Sequence, residues 1–201
     1  MNRKVFDKLA SAGGALVVVV LLVAGALLMW GSNFASSEVH NQLAQQEISF
    51  PPASAFANAK AGTEITPSMV PSVSQYAGQP LTTGAQAEVY ANDFIAVHLS
   101  EMPYGGVYSK VSAASMADPT NTALATEVQT TFRGTTLRGL LLEAYGFSEF
   151  GQIAQIASIA SFVLAGLMLV LVASGFRHAR RTTAGVELFA TDQTRLLKKS
   201  A

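Results

Sequence analysis

The chain has no cysteine, a single tryptophan, three histidines and only 13% charged residues among its 201. Without cysteine there is no disulfide framework, no thiolate nucleophile and no cysteine-based metal knuckle. Any folded part must therefore be held by packing, by a membrane or by a partner. Also missing are a glycine-rich phosphate cradle, a P-loop, a helical zinc motif and a nucleophile elbow, which excludes the easily read enzyme families. The low charge is matched by 50% hydrophobic residues, too many for an ordinary soluble domain of this size.

What is present is concentrated in two uncharged apolar runs, residues 13–31 and 153–176, of 19 and 24 residues. A hydrocarbon core ~30 Å thick needs roughly 20 helical residues at ~1.5 Å each, so either run can span it. Nine basic residues outside the runs face only three acids there, a surplus of +6, whereas the stretch between them holds four bases against ten acids, or −6. Short basic flanks resist translocation, so both termini are expected in the cytoplasm of a plasma-membrane protein. The predicted order is a cytoplasmic N-terminus (1–12), transmembrane helix 1 (13–31) and an extracytoplasmic helical domain (32–152), then transmembrane helix 2 (153–176) and a basic cytoplasmic tail (177–201). The basic start MNRKVFDK also fits a cleaved signal peptide. Three features favour an uncleaved anchor instead. The apolar stretch exceeds the usual ~7–15 residues of a signal core, Trp30 sits where an interfacial aromatic belongs, and residues 32–36 offer a poor cleavage site.

Between the spans, residues 50–81 carry Pro51, Pro52, Pro67, Pro71 and Pro80, spaced to break helices and central strands. This proline-rich arm is expected to be a loop ordered by contact or a flexible extension. Upstream, residues 36–48 have helical spacing and can prolong the first span. Downstream, Thr83 and Gln86 form a capping-box signature. Ala87, Tyr90, Ala91, Phe94 and Val97 then predict a helix of some eighteen residues, ended by Pro103 and the Gly105-Gly106 pair. A short helix over 108–116 should follow. A third should be capped by Asp118 with Pro119 at its first position and buried through Leu124, Val128 and Phe132. Gly134 is the expected break or kink. Beyond it Leu137, Leu140, Leu141, Ala144 and Phe147 continue a helical face into the second span, where close packing on another helix would compensate Gly139, Gly146 and Gly151. Ala157, Ser161 and Ala165, four apart, are the candidate helix-packing face.

Chemistry-bearing residues are few. His98 and Glu101, three apart on one helix, can present two ligands, and His40 would complete a two-histidine, one-carboxylate set. His98 also falls four after Phe94 on the predicted buried stripe, as a core histidine would. Glu127, Arg133, Arg138 and Glu143 read as solvated or bridging charges, worth about 0–1 kcal/mol each when exposed. Trp30, Arg177, Arg180 and Arg181 are membrane-anchoring candidates, the arginines against anionic headgroups. The −6 charge of the central stretch argues against nucleic acid as its partner.

The stretches VHNQLAQQ (39–46), YAGQPLTTGAQAEVYANDFIAVHL (76–99) and QTTFRGTTLRGLLLEAYGF (129–147), set between two spans, resemble a family of small actinobacterial membrane proteins. The likeness runs to about residue 181. Many members carry the label of aromatic ring-opening dioxygenase, an activity that implies iron held by two histidines and a carboxylate. Here that set would be His40, His98 and Glu101, although the resemblance itself carries no catalytic residue over. The expectation is an all-α, two-span membrane protein without cofactor, with membrane lipids and a protein partner or its own copies as partners. It would serve as a non-enzymatic accessory or scaffold subunit of a cell-envelope or membrane complex. A metal-dependent ring-opening oxygenase and a self-assembling homo-oligomer are the alternatives.

Overall fold

The computed structural model describes residues 3–181; the expectation of a membrane-lying tail, with Leu188, Phe189, Leu196 and Leu197, falls outside them. Among the described residues the fold is helical, with no strand and one isolated antiparallel bridge, Ser49 to Pro80. The chain divides into two compact units, residues 3–30 with 154–181, and Gly31–Ile153. Two helices, α1 (Arg3–Ala44, 42 residues) and α7 (Thr122–Arg181, 60 residues), contribute to both and are long and apolar enough to cross a membrane.

In the first unit the two helices run antiparallel, since Asp7 meets His178, Gly14 meets Val172 and Gly25 meets Phe162. Burial recurs every seven residues at Ser11, Val18 and Gly25 on α1, and on α7 at Ser158, Ala165 and Ala179, with Val172 half-buried at the step between the last two. A seven-residue repeat keeps one seam facing a partner only if the pair supercoils left-handedly. The seam is built from small residues, which lets the backbones approach: a Cβ on Gly14 would lie 2.8 Å from Val172 Cγ2. Across it the Ser158 hydroxyl donates to the Gly25 carbonyl at 2.7 Å, fully buried. The outward faces stay apolar and exposed, with only 11% of the most apolar window of either helix buried.

The second unit has its core where the sequence placed an arm. Of the twelve residues in the buried cluster, Phe50, Phe56, Ile65, Met69, Val73 and Leu81 all come from residues 50–81. Prolines there do limit helix length, leaving α2 (Ala53–Ala57), α3 (Val70–Val73, with Pro71 in its first turn) and a 3-10 turn, Ser74–Tyr76. They do not prevent packing. The Phe50 and Gly78 amides donate to the Gln79 and Pro51 carbonyls at 2.9 and 3.0 Å, and the Leu81 amide to Ile48 at 2.8 Å, closing the segment on itself.

The capping box forms as its signature requires: the Gln86 amide donates to Thr83 Oγ1, and Gln86 Oε1 accepts from the Thr83 amide at 3.0 Å. The following helix is α4 (Gly84–Val89), a π-helical stretch (Tyr90–Ile95) and α5 (Ala96–Glu101). Its π stretch is underwound, so residues four apart stay in line. Ala87, Ala91 and Ile95 are buried together, and Tyr90, Phe94 and His98 stack beside them. Pro103, with Tyr104, Gly105 and Gly106 at positive φ, reverses the chain into α6 (Tyr108–Ala117).

Four expectations are corrected here. Asp118 caps no helix start. It ends α6, and Asn121 Oδ1 accepts from the Leu124 amide at the start of α7, leaving Asp118 to bond Thr120 and Asn121. The buried α7 stripe passes through Thr131, fully buried, and not Phe132, which is 52% exposed. Gly134 does not break α7. It gives room to Leu99, whose Cδ2 would lie 2.8 Å from any Cβ there. Gly151 likewise meets Ala35, whereas Gly139 and Gly146 face open space and lack the close packing expected of them.

Candidate functional site

Within the second unit, α1 and α7 flank an open groove of about 430 Å³. Its floor is apolar because both helices offer residues at helical spacing: Val39 and Leu43 from α1, and Leu137, Leu141 and Ala144 from α7. Leu140 and Phe147 line the groove while 59% and 42% exposed. The rim is acidic or amide. Glu38 and Gln42 stand four apart on α1, with Gln42 Nε2 donating to Glu38 Oε1 at 2.8 Å, Gln46 follows in the turn after the helix, and Glu143 stands on α7. No cation lines the groove among the described residues.

Beside it lies an aromatic ladder. Tyr76, Phe50, Tyr90, Phe94 and His98 follow one another with ring centroids 5.1, 5.3, 4.7 and 4.6 Å apart. Burial pushes the Tyr90 phenol above its ordinary value of 10.0, and the Glu64 carboxylate adds to the shift. The folded state thus holds its proton longer than the unfolded chain, so this stabilisation is complete below pH 10.0 and is lost as pH rises toward the raised value. Tyr90→Phe should flatten the alkaline fall in thermal stability above that pH; an unchanged slope would refute the assignment.

The metal candidates are not brought together. His98 Nδ1 lies 2.9 Å from the Phe94 carbonyl and its ring closes the ladder, while His40 and Glu101 are solvent-exposed. Among the described residues no three histidine or carboxylate side chains form a group able to hold a metal ion. The charged residues fare differently from one another. Arg138 donates to Asn92 Oδ1 in the π stretch at 2.9 Å, Arg133 is exposed, Glu143 borders the groove, and Glu127 buries one carboxylate oxygen. The Arg138 to Asn92 bond escaped sequence reading because it joins residues 46 apart through a π turn that has no local signature.

In the long apolar helix pair, Ala165 is buried while Ala157 and Ser161 are half-buried, Ser161 bonding back to the Ala157 carbonyl. The serine that crosses to the other helix is Ser158, one position past Ala157. Trp30 is 68% exposed, and Arg177, Arg180 and Arg181 are exposed at the end of α7. Comparison with family models, curated proteins and solved structures found no match to this chain.

Proposed function

We propose that the chain is a non-enzymatic accessory or scaffold subunit of a membrane complex, which holds a basic amphipathic helix of a partner protein in the groove of its second unit. The groove carries this reading: an open apolar floor bordered by Glu38 and Glu143 and, among the described residues, by no cation suits the apolar face and flanking lysines or arginines of such a helix. The −6 charge of residues 32–152 and the +6 of the flanks support an arrangement with both termini cytoplasmic and that stretch extracytoplasmic. The likeness to two-span actinobacterial proteins fits the same plasma-membrane setting. A ring-opening oxygenase has less support, since its His40, His98 and Glu101 do not converge.

A photo-crosslinking residue at Phe147, compared with one at the exposed Phe132, tests the proposal in native membranes. One defined partner should be captured from position 147 and not from 132, and Leu140→Glu should lower its capture about tenfold or more. Equal capture from both positions, or monomer alone, rejects the proposal. A product of twice the chain's mass makes the occupant a second copy and favours self-assembly.

A further inference from the structure

The first unit contains a second cavity, about 650 Å³, where α1 begins and α7 ends. Lys4, Lys8 and Arg180 line it together with Leu9, Ala12 and Phe176, and no acid lines it among the described residues. The carboxylate close by in sequence, Asp7, is not among the lining residues and has its Oδ2 3.8 Å from His178 Nε2. The two chemistries are ordered along the helix axes. Lys4 and Lys8 precede the apolar run that starts at residue 13, and Arg180 follows the one that ends at 176. At ~1.5 Å per residue, Lys8 and Arg180 each stand roughly 6–8 Å outside the ends of the runs, at headgroup depth, while Ala12 and Phe176 mark the acyl boundary.

We infer that this cavity is a binding site for one anionic diacyl phospholipid, its phosphate held by Lys8 and Arg180 with Lys4 beside them and the start of its acyl chains lying on Ala12 and Phe176. A bare anion would use the cations and leave the apolar wall idle. A zwitterionic lipid would use the wall and bring a choline against three cations. Only a lipid with net negative charge satisfies both, and basic pockets between spanning helices recognise such headgroups. The site is more than the basic charge that follows the run, because Arg177 and Arg181, which stand on either side of Arg180 in the chain, carry the same charge and do not line the cavity. The inference rests on the pair spanning a bilayer and is independent of the partner groove.

The test uses the full chain in nanodiscs of phosphatidylcholine with a minority of phosphatidylglycerol, extracted gently and weighed by native mass spectrometry. The wild-type protein should retain one phosphatidylglycerol. K8Q/R180Q should lower its retention about 25-fold, at about five-fold per cation removed, and R177Q/R181Q, with the same loss of charge, should leave it nearly unchanged. Equal loss in the two double variants would reduce the site to non-specific attraction. On the unaltered protein, displacement of the lipid by inorganic phosphate at similar concentration would make it a free-anion site, and equal retention of phosphatidylcholine would remove the role of charge; either overturns the inference. Phe176→Ser should weaken the lipid without changing any phosphate binding.

Discussion

Gly106→Ala is expected to destabilise the Gly31–Ile153 unit by at least ~3 kcal/mol, against about 1 kcal/mol for Gly105→Ala one residue earlier. Both glycines lie at positive φ, +62° and +65°, so both substitutions carry the strain of a left-handed alanine, about 1–2 kcal/mol. They differ in what the new methyl meets. At Gly105 it points into open space. At Gly106 it strikes the Leu99 carbonyl oxygen and lies 2.6 Å from the Leu99 carbonyl carbon, backbone atoms that no rotamer change can move. The reversal from α5 to α6 would have to open, and with it the seat of Leu99 against Gly134. Since a domain of this size is stable by only about 5–15 kcal/mol, such a loss is a large share. Urea titration of the full chain in detergent, followed by protease susceptibility of residues 31–153, reads both variants. Equal midpoints for the two would show that the close approach at Gly106 does not govern the turn.

The sequence made local features legible and left tertiary choices open. The capping box at Thr83 and Gln86, the stop at Pro103 to Gly106 and the helix over residues 108–116 could be read because each is decided within a few residues of chain. The apolar runs were readable for a similar reason, since length and composition alone make a helix able to span. Phasing was not readable. Phe132 and Thr131 are adjacent, and the burial of Thr131 follows from which neighbours approach α7, against the hydrophobic ranking of the two residues. Ala157 and Ser158 pose the same problem in the span: a four-residue stripe drifts around a helix, whereas the supercoiled seam repeats at seven and brings Ser158 to Gly25. Residues 50–81 left open whether they order by contact or stay flexible, for another reason. Proline limits the length of a helix and says nothing about burial, so short turns carrying Phe56, Met69 and Val73 looked like a loop while supplying half of the core cluster. The groove was half visible: Leu137, Leu140, Leu141, Ala144 and Phe147 could be placed on one face of α7, but no sequence signal paired that face with Val39 and Leu43.

The Gly84 contact should give the second large effect, and one with a reciprocal. A methyl at Gly84 would collide with Ser148 Cβ and lie 2.6 Å from its hydroxyl oxygen, with the Tyr145 Cα at 3.5 Å behind. Overpacking of this kind costs about 1–3 kcal/mol, and here the upper end is expected because the colliding Cβ is fixed to the backbone of α7. Ser148→Gly removes that Cβ at a cost of about 1 kcal/mol for glycine inside a helix. Made together, Gly84→Ala and Ser148→Gly should be less destabilising than the sum of the single changes by roughly 1.5–2 kcal/mol. Ser148→Ala keeps the Cβ and deletes only the hydroxyl, so it should not rescue; equal rescue by alanine would trace the conflict to the oxygen. The same set reports on the groove. Ser148 packs on α4 while its neighbours Ala144 and Phe147 line the groove, so α4 buttresses the helix that forms the groove's wall. Capture from position 147 should then fall in Gly84→Ala, where the buttress is displaced, and return in the double variant along with stability. Recovery of stability without recovery of capture would mean that α4 supports the fold but not the groove.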